Sequence, residues 1–225
     1  MLEKEEVTAL VINKSCFVDA YFAKSFTRLR QEDGITNENI IESLTPEANR
    51  KQVFKAGEAS GASGSFFFFS HDKKFVIKTM TDKEMKFFNK RIALRYFKHF
   101  QDNPNSCLSR IYGVFTVKMQ GHGAIHLMLL SHTLRFERSE NVQRIFDLKG
   151  STVNREVKMT NKMSRSKTLK DVNFIKLRRN EPLNMFEIDK LFILRQVAKD
   201  TEFLKSLNIM DYSLLLAVET KPNEI

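Results

Sequence analysis

Tryptophan is missing from this sequence, and cysteine occurs only twice, as Cys16 and Cys107. Two thiols so far apart supply neither a disulfide framework nor a cysteine zinc site, and a reducing, intracellular compartment is the natural reading. The absence of tryptophan also removes one common anchor for a membrane interface. No apolar run approaches the ~18 residues of a membrane span, so contact with a bilayer is expected to be peripheral. The chain opens Met1-Leu2-Glu3-Lys4-Glu5-Glu6, with acids where a signal peptide carries cations, and reads as having no export signal. There is no internal repeat with a period of ~20 to 50 residues.

What is abundant is phenylalanine, with 20 copies, within a hydrophobic content of 42%. Over 225 residues that is enough to build the core of one large domain or two small ones. A charged fraction of 28% and a net charge of +10 call for an acidic partner: nucleic acid, a nucleotide or the anionic face of a membrane. Charge alone does not choose among them.

Along the chain, Phe17, Tyr21, Phe22, Phe26 and Leu29 recur at spacings of three and four, which predicts an amphipathic helix from Ser15 to Arg30 with Gly34 as its stop. A second helix is expected from a Thr36 cap through Ile40, Ile41 and Leu44, ended by Pro46. The small residues Ala59 to Ser65 then lead into Phe66–Phe69, a polar turn and Phe75–Met80, which reads as loop, strand, hairpin and strand. Thr81 and Glu84 have capping-box spacing and open a helix carrying Met85, Phe88, Ile92 and Tyr96, closed by Asn103-Pro104-Asn105. Strands over Ile111–Met119 and Ile125–Leu130 complete an antiparallel sheet. A strand from Gln143 to Leu148 is followed by a polar, basic stretch from Thr152 to Lys170, read as a mobile loop. A long helix is expected to start at Asn184, boxed by Glu187, and the last strand has the pattern of a buried one.

Several residues in this frame have chemistry to offer, and each also has a plain structural job. The Ser/Gly loop before the hairpin, with Lys78 inside the second strand, is how kinases hold ATP, since backbone amides cover the phosphates and the lysine neutralises them; loops of small residues are also ordinary turns. An ammonium among Phe75, Val76, Ile77 and Met80 needs an anion or an escape to water. Glu84 is either that anion or only the reciprocal half of its capping box. Asp147-Leu148-Lys149-Gly150-Ser151 sets an acid, a cation, a flexible residue and a hydroxyl at a strand end, suited to a phosphate or merely to leaving the strand. Asp211, between Met210 and Tyr212, is a metal or hydroxyl partner or the cap of a turn. Arg155, Lys158, Lys162, Arg165, Lys167 and Lys170 face one acid, Glu156, in the same stretch. On an anionic leaflet each adjacent cation contributes on the order of 1 kcal/mol, but a solvated loop carries the same charges.

Taken together, SGASGSFFFF, FVIKTM, IFDLKGSTVNRE and NIMDYSLLLAVE resemble the phosphatidylinositol phosphate kinase family, in that order and from about residue 14 to 219. DLKGS and IMDYSLL are its most specific strings. The resemblance, of the phosphatidylinositol 4-phosphate 5-kinase type, implies an α+β, kinase-like two-lobed fold with a central antiparallel sheet flanked by helices. It places the N-terminal lobe at residues 1–133 and a partial C-terminal lobe, with the DLKGS strand, basic loop, long helix and IMDYSLL strand, at 134–225. By position it makes Gly61, Ser63, Gly64 and Ser65 the phosphate-covering loop. Lys78 becomes the ATP lysine, Lys149 the second nucleotide-contacting and catalytic lysine, and Asp211 the catalytic aspartate. The basic residues Arg155 to Lys170 become a membrane face. ATP and Mg2+ are the implied cofactors, and a phosphoinositide and an anionic membrane surface are the implied partners, with a homodimer as one assembly open to the chain. The setting would be cytoplasmic, peripherally on membranes.

In that picture Lys78, Lys149 and magnesium spread the charge of an in-line phosphoryl transfer while Asp211 orients or deprotonates the inositol hydroxyl. Family members continue to a further aspartate in an Ile-Ile-Asp context that holds magnesium and to a loop that selects the lipid. Neither occurs before Ile225, so the metal ligand is unknown and the 225-residue chain by itself is expected to be a poor catalyst. A 5-phosphate 4-kinase and a non-catalytic phosphoinositide-binding scaffold are the alternatives. Nucleic acid is not an expected partner, because the phenylalanines follow core-like spacings and no DNA- or RNA-binding motif occurs. Flotation with anionic vesicles, set against duplex DNA of equal charge, separates the two kinds of polyanion: the chain should float with the vesicles and leave the DNA unbound.

Overall fold

The computed structural model describes residues 6–50, 65–134, 142–159, 167–178, 183 and 185–219. It divides into two compact units, Met1–His132 and Thr133–Ile225. The architecture is α+β, with antiparallel sheet and helices. Among the described residues no helix is long and apolar enough to cross a membrane.

The first unit is built on six strands: β1 (Val7–Asn13), β2 (Cys16–Tyr21), β3 (Phe67–Phe69), β4 (Phe75–Met80), β5 (Ile111–Met119) and β6 (Ile125–Ser131). They lie in the order β1-β2-β5-β6-β4-β3, with every neighbouring pair antiparallel. The helix expected from Ser15 to Arg30 is therefore two elements. Cys16–Tyr21 bonds to β1 on one side and β5 on the other, and helix α1 begins only at Ala23 and runs to Glu32. Phe22, at φ +50°, makes the corner. The spacing misled because a strand and a helix joined at a corner put Phe17, Tyr21, Phe22 and Phe26 at helix-like intervals, although Phe22 and Phe26 alone of these pack on Phe97, with ring centroids 5.9 and 4.9 Å away.

Helix α2 (Asn37–Leu44) starts where its sequence indicates: Thr36 Oγ1 accepts from the Asn39 N–H at 3.2 Å, and Asn39 Oδ1 accepts from the Thr36 N–H at 3.0 Å. Pro46 ends α2 and opens the short α3 (Pro46–Asn49), since a proline is tolerated in the first turn. The other helical arm comprises α4 (Asp82–Phe87), a wide π turn over Phe88–Ile92 and α5 (Ala93–Asp102). Its buried Tyr96 donates to Ser109 O at 3.1 Å and accepts from the Ile111 N–H at 2.7 Å, which anchors α5 to the start of β5. Beneath α2 the core joins Phe75, Tyr112 and Leu129 from three strands with Ile35, Ile40 and Leu44. Burial of these rings and branched chains supplies the main driving force for the unit.

Around that core a polar network binds helices to hairpin. Asp72, in the β3–β4 turn, accepts from Ser43 Oγ at 2.6 Å, Ser70 Oγ at 2.7 Å and the Lys74 N–H at 3.1 Å. Asn49 donates to Ser43 O and Thr45 O and accepts from the His71 N–H, so α2, α3 and the turn share one set of hydrogen bonds.

The second unit holds β7 (Val142–Leu148), β8 (Thr168–Leu169) and β9 (Leu214–Glu219), ordered β8-β7-β9, with β8 parallel and β9 antiparallel to β7. Phe146 and Leu169 are fully buried there, and the ring of Phe174 meets Phe146 edge-on at 5.1 Å. Three expectations are corrected. Among the described residues the last strand, β9, lies at the edge of its sheet with Leu214 and Leu215 exposed, although its unbroken apolar run suggested burial. The long helix α7 (Glu187–Ser206) starts after Phe186, whose extended backbone occupies the cap; Asn184 lies outside the described residues. Finally, the basic stretch is not all loop. Thr168–Leu169 is strand β8, and a helix α6 (Asp171–Arg178) follows directly.

Asp72 carries the test of the polar network. Burial by itself would raise its carboxyl, but the Ser43, Ser70 and Lys74 hydrogen bonds outweigh that and hold it down at about 2. A depressed folded-state value means that this stabilisation is complete above the unfolded value near 4 and is lost as the pH falls toward 2. Asp72→Ala should therefore destabilise the unit by about 1–3 kcal/mol at pH 7 and flatten the acid limb of its stability curve. Denaturant unfolding at a series of pH values checks both.

Candidate functional site

Lys78 sits on β4 between two neighbours, paired in register with Phe67 on β3 and Met128 on β6. Its ammonium meets Glu84 Oε1 at 3.2 Å. The other oxygen of Glu84 accepts from the Thr81 N–H at 2.7 Å and from Thr81 Oγ1 at 3.0 Å, while the Glu84 N–H donates to Thr81 Oγ1 at 3.2 Å. One carboxylate thus fills both jobs that its sequence position left open, capping α4 with one oxygen and pairing with the lysine with the other. Burial would raise the Glu84 carboxyl, but the Thr81 N–H and the Lys78 charge prevail and lower it. Of the glycine-bearing loop, Gly61, Ser63 and Gly64 lie outside the described residues; Ser65 is buried at the entry to β3.

In the second unit β7 ends at Leu148, and Lys149-Gly150-Ser151 turns away from it. Gly150 has φ +70°, a left-handed conformation for which glycine is favoured. Lys149 Nζ lies 2.5 Å from Asp211 Oδ1, across 62 residues of sequence. Asp211, itself at φ +63°, forms the bend into β9, and its side chain is 82% exposed, so it is open to a ligand. Its neighbours Met210 and Tyr212, apolar in sequence, are exposed with it. The Lys149 hydrogen bond, followed by the charge of the same lysine, holds the Asp211 carboxyl below its ordinary value. Both side chains line a cavity of about 1130 Å³, together with Ser151, Arg155, Lys205 and Tyr212. Such a space, with cations, hydroxyls and the accessible carboxylates of Asp211 and Glu202, is suited to a phosphorylated ligand bearing free hydroxyls.

Arg155 does not behave as a member of a free basic face. Its Nε donates to Asp171 Oδ2 at 2.8 Å, its Nη2 donates to the carbonyl of Asp147, and its side chain is only 12% exposed. These partners tie Arg155 into an intramolecular network. Lys158 and Lys167 are exposed and Lys170 is half-buried, whereas Lys162 and Arg165 lie outside the described residues. Asp171 does not stand out in the sequence. Its one signal there is modest: an acid opening a short helix, a position favoured by the helix dipole. Among the described residues no group of three or more His, Cys, Asp or Glu is placed to hold a metal ion.

Known proteins are similar to this sequence over most of its length. A family model described as phosphatidylinositol-4-phosphate 5-kinase matches residues 48–224. A fission yeast (Schizosaccharomyces pombe) protein named phosphatidylinositol 4-phosphate 5-kinase is 37% identical over 86% of this chain and 25% of its own. A Dictyostelium discoideum protein named probable phosphatidylinositol phosphate kinase is 35% identical over 88% of this chain and 27% of its own. A Gallus gallus protein named phosphatidylinositol 5-phosphate 4-kinase type-2 alpha is 30% identical over 88% of this chain and 46% of its own. The chain thus spans about a quarter of the length of the first two and under half of the third.

The double role of Glu84 yields a test. Glutamine serves in a capping box but carries no charge, so Glu84→Gln should leave thermal stability within about 0.5 kcal/mol of the parent, whereas Thr81→Ala should cost about 1 kcal/mol. Thermal unfolding followed by circular dichroism measures the difference.

Proposed function

The chain belongs to the phosphatidylinositol phosphate kinase family, and from that premise we propose that it serves an ATP-dependent kinase phosphorylating a hydroxyl of a phosphoinositide headgroup at a membrane surface. Membership implies ATP use. The observation that carries the reading is the Lys149–Asp211 pair at 2.5 Å in an open cavity bounded by further cations. The preferred reaction is conversion of phosphatidylinositol 4-phosphate to the 4,5-bisphosphate. Support comes from the family description and from the fission yeast 5-kinase, with the chicken 4-kinase matched at 30% as well. The latter likeness keeps a 5-phosphate 4-kinase as the second reading.

The residues divide the work by charge. Lys149 donates to phosphoryl oxygens, where a preorganised ammonium stabilises charge as it moves during transfer. Asp211 accepts the hydrogen bond of the attacking hydroxyl. Because Lys149 depresses its carboxyl, Asp211 is a carboxylate at neutral pH and a weak base, so it acts mainly by orienting the hydroxyl. A loose transition state asks for no more than this, since the nucleophile gains little positive charge before the phosphoryl group has largely left. Lys78, steadied by Glu84, is the cation assigned to the nucleotide phosphates, with Gly61, Ser63, Gly64 and Ser65 covering them. Mg2+ would add charge neutralisation when bound, while holding the phosphates and orienting the hydroxyl fall to the side chains of this chain. Lys158, Lys162, Arg165, Lys167 and Lys170 are the cations assigned to the leaflet, without Arg155. The first unit would be the nucleotide lobe of a kinase-like fold, and the second would belong to the substrate lobe.

Lys78→Met should weaken ATP binding roughly tenfold to a hundredfold, the scale of a lost hydrogen bond between charged groups, as read by titration calorimetry. Unchanged affinity would favour the non-catalytic lipid-binding alternative. For the reaction itself, labelled ATP supplied with vesicles holding either phosphatidylinositol 4-phosphate or 5-phosphate decides the acceptor; label entering the 5-phosphate alone would overturn the preferred choice.

A further inference from the structure

Asp171 is a buried acid to which the proposed chemistry gives no part, yet it is the most heavily hydrogen-bonded carboxylate beside the cavity. One of its oxygens accepts from two consecutive backbone amides, Lys149 N–H and Gly150 N–H, each at 2.9 Å. The other accepts from Arg155 Nε at 2.8 Å. Arg155 in turn donates from Nη2 to the carbonyl of Asp147, two residues before Lys149 on β7, and its guanidinium lies 3.4 Å from the Asp147 carboxylate. The hydrogen bonds therefore close a ring: the strand end, the turn that leaves it, the acid at the start of α6 and the arginine that returns to the strand. Burial alone would raise the Asp171 carboxyl, but Arg155 and the two amides overcome it and hold the group at about 2, so it remains an anion throughout the physiological range.

We propose that Asp171 is a positioning residue for Lys149, fixing the backbone of Lys149 and Gly150 so that the ammonium is delivered to Asp211 and the cavity. A lysine side chain has several rotatable bonds and finds a partner 62 residues away only if its Cα is held in place. Neither β7, which ends at Leu148, nor the glycine that follows does that. Two amides bonded to one buried, charged acceptor do. The same arrangement accounts for Arg155, whose guanidinium balances the Asp171 charge and prevents it from being an uncompensated buried ion. The purpose of the positioning rests on the nucleotide role proposed for Lys149, but the geometry does not.

Site-resolved acetylation of the full chain tests the inference without nucleotide or lipid. Acetic anhydride is applied in trace amount, and the relative labelling of Lys149 is read by mass spectrometry. Asp211→Ala sets the upper limit for an unpaired Lys149. Asp171→Ala should raise Lys149 labelling toward that limit, by roughly tenfold, the scale of one lost hydrogen bond between charged groups. Asp171→Asn, which keeps an acceptor oxygen but loses the charge facing Arg155, provides a milder variant. Asn173→Ala is the structural comparator: Asn173 is also buried on α6 and holds Val157 N–H, Val157 O and Lys170 N–H, so its loss loosens the same region without touching the Lys149 amide. It should leave Lys149 labelling at the parent rate. Parent-like labelling in every folded Asp171 variant, or an equal rise in Asn173→Ala, would overturn the proposal. An ATP affinity indifferent to Lys78→Met would count against the kinase reading while leaving this result untouched.

Discussion

A buried carboxylate has to be matched by donors, and much of the second unit is arranged to satisfy that requirement at Asp171. Two amides from the turn that leaves β7, those of Lys149 and Gly150, and the guanidinium of Arg155 converge on it. The strand end, the turn and α6 consequently form one electrostatic body, with Lys149 projecting from it toward Asp211. If the carboxylate is removed, Arg155 and the two amides lose their common acceptor at once, and the backbone beneath Lys149 loses the side chain that holds it. The hydrophobic contact of Phe146, Leu169 and Phe174 holds the sheet to α6, but it does not orient the turn.

The first unit solves a related problem locally. Lys78 is held in a central stretch of antiparallel sheet, and its counter-ion lies six residues away at the start of α4. Because Glu84 also completes the cap of that helix, strand end and helix start are connected through one side chain. Both units thus present a lysine whose charge is balanced by an accessible or half-accessible carboxylate. A side chain in that state can exchange its partner for a phosphate at modest cost, because the competing pair is already solvated. Arg155 shows the opposite case: a cation with two partners and little exposure is structural, however basic its surroundings in sequence.

The misreadings have distinct physical causes. Ser15–Arg30 carries helix-like spacing because a strand and a helix meet at Phe22, and periodicity has no means of registering a corner. Helix α6 escaped notice because its buried residues are Asp171 and Asn173; a helix that turns a polar face inward shows no apolar stripe. In α7 the run Leu191-Phe192-Ile193-Leu194 is apolar all round, and the residues buried are Gln196 and Asp200 instead. Hydrophobic pattern reports a face only when that face is what the described residues bury.

By itself, the sequence determined what depends on near neighbours: the Thr36 and Thr81 caps, the β3–β4 hairpin, the β5–β6 pair and the strings that mark the family. These are set by backbone hydrogen bonds and rotamers within a few residues, which a linear reading can see. Tertiary structure alone decided that Asp211 meets Lys149, that Arg155 is bound to Asp171 and Asp147, and that a buried acid lies under the turn. Those contacts join positions 8 to 62 residues apart, and their existence depends on where sheet and helices bring the chain back, which no local preference specifies.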